Sequence, residues 1–396
     1  MQDKPGLIAD ILNTWFNKRV EYRKLEKKYG EEKNTELYEF YGKRQHVQKI
    51  LLNSMYGVLG LPAFRFYDVD NAEAVTLTGQ VVIKKTAEMA NRKYWKELGT
   101  TDDYNVYIDT DSIYMMAEPL VKHRYPEYKT FDEKRMAVEV DNIATETQTF
   151  LNSFYDLLAE RFFFIPKDKH RFEIKKEYIS KAGFWVAKKR YAQWMILKNG
   201  IPCDKLDVKG LDVVRSSFPK AFQKFMSTML KDILMGKDHD YIDDTLLTFK
   251  KSLPTLPVNT IAKGGALKEL SKYDNGSWKT GDAVANFEKG TPAHVKAGIT
   301  YNRLLKFFNC PYKHEPIRDG DKVKWVYLKN NPLGLETVAF KDYNDPKEIM
   351  DFVETYVDRN KIFEAELENK LDDFYNALKW DKVTADTKTA KKFFAF

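Results

Sequence analysis

Two long helical patterns separated by a short polar turn open the chain and restrict what it can fold into. Apolar residues recur at helical spacing over residues 7–29, and a second pattern runs over residues 37–56, with Gly57 as its expected end. Residues 30–34 have the composition of a turn. The spacing therefore predicts an antiparallel helical hairpin.

The pattern changes beyond this hairpin. A third helix is predicted over residues 72–98, and a polar tetrad at residues 109–112 separates two short β-prone runs. Further segments are predicted in the order helix 132–163, strands 172–179 and 190–196, and helices 220–235 and 240–251, with breaks at Gly264-Gly265 and Asn275-Gly276. An α+β core followed by a mainly helical domain beyond Gly210 is therefore expected.

Composition limits the class of protein without deciding its function. The 396 residues suggest two or three domains, and 65 Lys and Arg against 58 Asp and Glu give a formal charge of +7, which suits a polyanionic partner. Cys203 and Cys310 form neither a disulfide framework nor a zinc pattern. No apolar run approaches the roughly 20 residues of a membrane span. We therefore expect a soluble, cytoplasmic protein.

The most specific motif lies on the second predicted helix. Lys49, Asn53 and Tyr56 are spaced so that they share one stripe of a helix. The lysine ammonium suits a polyphosphate, and the tyrosine ring beside Gly57 offers a flat surface to a base pair. An ordinary amphipathic helix with an exposed lysine and a packed tyrosine explains the same pattern.

Two arginines on the first predicted helix point to the same chemistry. Arg19 and Arg23 share one helical face, which the hairpin would bring beside Lys49. Three cations can then meet a triphosphate, because arginine forks match phosphate oxygens and phosphoryl transfer needs its developing charge neutralised. A solvated basic face is the alternative, since lysines stand nearby at positions 18, 24, 27 and 28.

A pair of acids lies at the predicted strand–turn–strand. Asp109 and Asp111 would be held close together there, which is repulsive unless cations lie between them. Magnesium relieves this repulsion, and a pair of such ions supports phosphoryl transfer. A turn in which Asp side chains accept backbone hydrogen bonds is the alternative.

A basic and aromatic segment follows later in the chain. Lys188, Lys189, Arg190 and Tyr191 come directly after an aromatic stretch and lead into a predicted strand. The cations suit phosphate contacts, and a lysine can also contact acceptors in the minor groove. A solvated basic edge strand explains the same residues.

In their order and spacing, these elements resemble the family B (polymerase α-like) DNA polymerases, and especially those of T-even-type bacteriophages. Residues 49–57 are similar to the family motif KxxxNSxYG, residues 107–112 to YGDTDS, and residues 188–191 to KKRY, with Ile108 where the family has Gly. Further similarity covers most of the chain, at residues 64–68, 210–212, 216–219, 272–274 and 298–303.

The resemblance implies a role for each motif. Arg19, Arg23 and Lys49 would bind the incoming triphosphate, with Asn53 beside it and Tyr56 beneath the new base pair. Asp109 and Asp111 would hold two magnesium ions, Lys49 would assist catalysis, and Lys188 to Tyr191 would contact primer–template DNA. Glu177 would be a further palm carboxylate. The tail from Lys391 to Phe396 is similar to the segment by which such polymerases bind a sliding clamp; a disordered tail is the alternative.

The resemblance also implies a right-handed polymerase with an incomplete palm. It predicts helical-hairpin fingers at 1–61, an antiparallel-sheet palm at 62–211, a mainly helical thumb at 212–385 and a clamp-binding tail at 386–396. The family's DxxSLYPS motif is absent from the sequence, as are the exonuclease acids. We therefore expect a split gene or a fragment, inactive without an N-terminal chain that completes the palm.

The expected function is template-directed DNA synthesis from dNTPs by two-metal nucleotidyl transfer, in the cytoplasm of an infected bacterial host. A non-catalytic subunit that binds DNA and the sliding clamp is the rival hypothesis. Mere binding does not require paired acids such as Asp109 and Asp111, so the sequence favours the enzyme.

Overall fold

Two compact units make up the chain. The computed structural model describes residues 6–274, 287–310 and 314–381. One unit comprises Met1–Pro126 with Glu146–Ile174, and the other comprises Glu127–Thr145 with Lys175–Phe396. Both combine helices with antiparallel strands, as the α+β prediction requires. The predicted fingers, palm and thumb boundaries stay a prediction.

The first unit is built on three long helices and one β-hairpin. Its elements are α1 Leu7–Glu31, α2 Thr35–Leu59, α3 Val69–Leu98, β1 Asn105–Asp109, β2 Ser112–Met115 and α4 Glu118–Arg124, while α5 Glu133–Phe162 contributes to both units. The predicted third helix ends as expected, because Gly99 takes the left-handed conformation at its C-cap with φ +69°. The core of the unit includes a buried hydrogen bond of 2.9 Å between the hydroxyls of Thr86 and Tyr155.

The predicted helical hairpin is confirmed, but both helices pass through the glycines that were expected to end them. Helix α1 continues to Glu31, and Lys33 takes the left-handed turn conformation with φ +55°. Gly30 instead allows close packing, because a Cβ there would lie 3.2 Å from the Tyr38 ring. Helix α2 continues beyond Gly57 to the buried Leu59, so burial overrides the weak helix propensity of one glycine.

The second unit contains two three-stranded antiparallel sheets and most of the shorter helices. Its strands are β3 Tyr178–Ala187, β4 Arg190–Lys198 and β5 Ile201–Lys209 in one sheet, and β6 Lys263–Ala266, β7 Lys322–Tyr327 and β8 Thr337–Phe340 in the other. Its helices are α6 Lys220–Leu234, α7 His239–Ser252, α8 Val258–Ile261, α9 Leu270–Tyr273, α10 Ala293–Phe307, α11 Lys347–Tyr356, α12 Arg359–Phe363 and α13 Asn369–Leu378. Short 3-10 turns at Tyr128–Thr130, Asp212–Val214 and Leu253–Thr255 and a π-helical segment, Glu364–Glu368, complete the list.

The predicted strand at residues 172–179 was placed too early. Residues 172–177 are not a strand, because the Asn152 side chain satisfies the backbone of Ile174 with hydrogen bonds of 2.9 and 3.0 Å. The neighbouring strand β5 was not predicted at all. It carries Pro202 and several charged residues, which a strand at the edge of a sheet tolerates.

The sheet formed by β6, β7 and β8 was also not predicted, and the expected break at Gly264-Gly265 is a strand. The Gly264 amide donates to the Ser217 carbonyl at 2.9 Å, and a Cβ on Gly264 would lie 3.3 Å from the Ser217 Cα. Glycine is therefore used here for close backbone approach. The second expected break, Asn275-Gly276, lies outside the described residues.

The helices of the described residues do not meet the requirements of a membrane span. Among residues 6–274, 287–310 and 314–381, no helix has both the length and the apolar composition needed to cross a membrane.

Candidate functional site

The helical hairpin is held together by aromatic and small residues. The rings of Tyr22 and Tyr41 lie 6.1 Å apart, and the Arg44 guanidinium lies 5.9 Å from the Tyr22 ring. Nearer the turn, a Cβ on Gly42 would lie 3.0 Å from the Glu26 carboxylate. The Asn34 side chain starts α2 by accepting from the Leu37 amide at 3.1 Å.

The two predicted arginines lie on the same turn of α1 and affect each other. Arg19 is half-buried and Arg23 is exposed. Burial, and secondarily the charge of Arg23, lowers the pKa of the Arg19 guanidinium from its ordinary value. The Arg19 Nε is buried and has no hydrogen-bond acceptor among the described residues. A bound anion would supply the acceptor and relieve the repulsion.

Lys49 lies on α2, the helix that packs against α1. Gly30 on α1 lies close to Tyr38 on α2, and one turn earlier on α1 Glu26 lies close to Gly42, one turn later on α2. The two helices are therefore antiparallel. Continued by further turns, the same register brings the turn of Arg19 beside the turn of Lys49. This extrapolated register places Arg19 and Lys49 at the same level of the hairpin, and their convergence on one ligand stays a prediction.

Lys49, Asn53 and Tyr56 form an exposed stripe along α2. Tyr56 is 43% exposed, and Lys49 makes no ion pair with a carboxylate of the described residues. The alternative of a packed tyrosine is therefore not what the structure shows. The stripe is open to a ligand along its whole length.

The predicted acids lie at the tight turn of the β1–β2 hairpin. Asp109 ends β1 opposite Ser112, and the two loop residues are Thr110, with φ +53°, and Asp111. The Thr110 hydroxyl donates to Asp109 Oδ1 at 3.1 Å, and the Ser112 hydroxyl donates to Asp111 Oδ1 at 3.2 Å. Asp109 is half-buried and Asp111 is exposed. Two carboxylates are thus presented from one turn, as predicted.

The turn fits magnesium in the chemistry of its donors but not in their number. Carboxylate oxygens are the hard ligands that magnesium takes in proteins. In the described part of the chain, no group of three or more His, Cys, Asp or Glu side chains is placed to hold a metal ion. Asp109 and Asp111 would therefore supply only part of a magnesium site.

The predicted DNA-binding segment lies in the second unit, and its residues differ in their exposure and contacts. Lys188 and Lys189 form the exposed two-residue turn between β3 and β4. Arg190 is held in an ion pair with Asp373, 2.6 Å from Nη1 to Oδ2. Tyr191 is only 5% exposed and stacks on Trp185 with 6.1 Å between ring centroids. The two lysines are therefore the accessible part of the motif.

For two other predicted site positions, Glu177 and the C-terminal tail, the structure gives little information. Glu177 lies just before β3 in the second unit, and its carbonyl accepts from the Asn199 amide at 2.8 Å. The tail from Lys391 to Phe396 lies outside the described residues. Sequence reasoning assigned no role to Gly210 or Asp373, although residues 210–212 had been noted as a similar segment.

Comparison with known proteins identifies the chain's relatives. Residues 1–124, which carry α1, α2 and both acids of the β-hairpin, match the model of DNA polymerase family B. The chain is 28% identical to the DNA-directed DNA polymerase of Enterobacteria phage T4 over 80% of its own length and 35% of the relative's. It is 27% identical to that of Escherichia phage RB69, over 84% of the chain and 37% of the relative.

A cellular relative extends the match along the chain. The DNA polymerase of Archaeoglobus fulgidus is 27% identical over 94% of the chain and 42% of the relative. The chain thus spans between 35% and 42% of the length of these three relatives. Residues 1–124 therefore match DNA polymerase family B, and most of the chain is similar to the phage-type polymerases of that family.

Proposed function

We propose that this chain is the polymerising, C-terminal part of a phage-type replicative DNA polymerase, which extends a primer on a template by two-metal nucleotidyl transfer. The proposal rests on two features of the first unit. The cationic helical hairpin has a hydrogen-bond donor without an acceptor at Arg19, and the β1–β2 turn presents Asp109 and Asp111. Triphosphate binding needs the first, and magnesium binding needs the second.

The helical hairpin, residues 1–61, acts as the fingers. Arg19, Arg23 and Lys49 neutralise the triphosphate of the incoming dNTP, and the charge they offset grows as pyrophosphate leaves. Asn53 lies beside the nucleotide. The exposed ring of Tyr56 supports the new base pair.

The acids act at the palm, residues 62–211. Asp109 and Asp111 would hold magnesium, with Asp111 as the more important ligand. When bound, two such ions lower the pKa of the attacking hydroxyl and stabilise the leaving oxygens. The Thr110 and Ser112 hydroxyls orient the two carboxylates by the hydrogen bonds described above.

The proposal assigns the further carboxylate to a segment or chain that carries DxxSLYPS. In its absence the β1–β2 sheet has two strands and no fully buried residue, and such a hairpin is marginally stable by itself. Several large apolar side chains of the same unit are exposed, namely Leu61, Phe66 and Tyr67 between α2 and α3, Val69 at the start of α3, and Val106, Ile108 and Met116 in and beside the β1–β2 hairpin. We infer that the missing segment completes this sheet and covers part of this surface.

The second unit supplies contacts to the duplex. The exposed lysines at positions 188 and 189 contact the phosphate backbone of the primer–template, and residues 212–385 form the thumb. The protein acts in the cytoplasm of the infected host.

The role of Lys49 is tested by Lys49→Ala in the completed enzyme, that is, this chain together with the missing palm segment. The single-turnover rate of nucleotide incorporation is expected to fall on the order of 10²-fold, as for other preorganised donors, while duplex affinity is kept. Lys43→Ala is the matched control, since Lys43 is exposed on the same helix and pairs with Glu39 at 3.3 Å.

The opposite pattern for Lys49→Ala would contradict the assignment. If duplex affinity falls while the saturated incorporation rate stays at the parent value, Lys49 is a plain DNA contact. That result would favour the rival function of a non-catalytic DNA-binding subunit.

We also propose that the tail from Lys391 to Phe396 binds a sliding clamp. Deleting these residues is expected to leave extension of short primers unchanged and to shorten products on long templates when the clamp is present, because tethering raises effective concentration. Reactions without clamp are the control and should not differ. Equal product lengths with clamp, with and without the tail, would exclude the tail as the tether.

A further inference from the structure

Gly210 comes into unusually close contact with the backbone of the two-lysine turn. It follows β5 directly and has φ +65°, a conformation that side chains rarely adopt. A Cβ built on it would lie 2.0 Å from the carbonyl oxygen of Lys189 and 3.0 Å from its carbonyl carbon. Any other residue at this position must therefore displace the Lys189 peptide.

A second restraint holds the other side of the same turn. The Arg190 guanidinium donates to Asp373 on α13 at 2.6 Å. On the same helix, Lys370 lies 3.6 Å from the carboxylate of Asp212, which comes two residues after Gly210. Helix α13 thus holds both chain segments that meet at the turn.

The residues next to the turn are firmly anchored in the core. Leu211 is 1% exposed and Tyr191 is 5% exposed, so neither neighbouring segment can move without losing buried contacts. Lys189 itself has φ +61°, a strained value for a residue with a side chain. The turn is therefore fixed by its surroundings and not by its own conformational preference.

We propose that Gly210 is a positioning residue for DNA contact. Its close approach to the Lys189 carbonyl, together with the Asp373–Arg190 ion pair, sets the direction in which Lys188 and Lys189 meet the duplex backbone. This inference rests on the proposed function, which assigns phosphate contacts to the two lysines. A fixed turn orders two long, flexible side chains before binding and so reduces the entropy lost on association.

The test compares Gly210→Asn with Gly200→Asn in the full chain. Asparagine tolerates the left-handed conformation better than other side chains, so the substitution mainly adds bulk. Gly200 lies in the β4–β5 turn with φ +76°, and nothing lies within 4 Å of a Cβ built there. It therefore carries a similar conformational strain without the contact to Lys189.

Affinity for a primer–template duplex is measured by fluorescence anisotropy over a range of salt concentrations. Gly210→Asn is expected to weaken binding about tenfold and to lower the salt slope by about two, as Lys188→Ala combined with Lys189→Ala should do. Gly200→Asn should bind like the parent. Added to the two lysine substitutions, Gly210→Asn should have no further effect, because it acts through those lysines.

Two results of the binding measurements would overturn the proposal, and they are distinguishable. If the double lysine variant weakens binding but Gly210→Asn does not, Gly210 does not position the turn. If the double lysine variant binds like the parent, the DNA contact of the proposed function fails, and the positioning role fails with it.

Hydrogen exchange provides a readout that does not depend on DNA. In Gly210→Asn, amides of the pairs Ala187–Arg190 and Trp185–Tyr191 should exchange faster than in Gly200→Asn. If Gly210→Asn fails to fold, Asp373→Asn tests the same restraint, because it removes the ion pair without changing the backbone. Unchanged exchange at these pairs in the folded variant would overturn the proposal.

Discussion

Asp111→Asn is expected to abolish primer extension by the completed enzyme and to leave its affinity for the primer–template duplex nearly unchanged. Asp111 is exposed at the β1–β2 turn, and its carboxylate accepts a hydrogen bond from the Ser112 hydroxyl. Asparagine keeps that acceptor and the size of the side chain, so the fold should be unaffected. What it loses is the negative charge that the magnesium ions require.

The expected magnitude follows from the chemistry that the charge supports. Stabilisation of transition-state charge by bound metal contributes several kcal/mol, which corresponds to a rate loss on the order of 10³-fold or more. Asp109→Asn should also be severe. Single-turnover extension measures the rate, and Asp102→Asn is the control, since Asp102 is an exposed acid shortly before the same hairpin. Extension within about tenfold of the parent by both the Asp109 and Asp111 variants would exclude these acids as metal ligands.

The purified chain alone is expected to show little or no DNA synthesis, and adding a segment that bears DxxSLYPS should restore it. Two acids on one turn would hold magnesium loosely, and the carboxylate proposed for the DxxSLYPS segment would complete the set of ligands. The β1–β2 sheet, with two strands and no fully buried residue, offers edges on which the missing segment can pair. The two parts should therefore associate even without DNA.

Complementation assays and size-exclusion chromatography test this prediction. Extension should depend on both parts and on magnesium, and the complex should elute as one species. The chain carrying Asp111→Asn, mixed with the same segment, controls for contaminating polymerase. Robust magnesium-dependent extension by the parent chain alone, with Asp111→Asn inactive, would mean that a third ligand lies within residues 1–396.

Much of the first unit could be predicted from the sequence because its contacts are local. The hairpin of α1 and α2, the long α3 and the β-turn at Asp109 and Asp111 all follow from patterns within a few residues. The same patterns placed Lys49, Asn53 and Tyr56 on one stripe. The errors in this unit include the short helix α4, which was not predicted, and the ends of α1 and α2. At those ends, burial of Leu59 and packing of Tyr38 against Gly30 outweighed glycine's tendency to break a helix.

The second unit was harder to predict because its strands pair over long distances. Strand β6 pairs with β7, which lies far along the chain. The sequence Gly264-Gly265 is typical of a turn, and only the folded chain shows that the backbone of Ser217 packs against Gly264. In strand β5, apolar and polar residues do not alternate regularly, because the strand lies at a sheet edge, where charged residues are tolerated. Local propensity cannot reveal either strand.

The sequence by itself therefore determined the chemical groups of this protein, namely the cations of the hairpin, the paired acids and the basic Lys188–Lys189 turn. Only the tertiary structure decided which of them are accessible. Arg190 looked equivalent to its lysine neighbours, yet it is held by Asp373, 183 positions away. The reason is physical: residue type sets what a side chain can bind, whereas availability depends on neighbours that the folded chain brings together from distant positions.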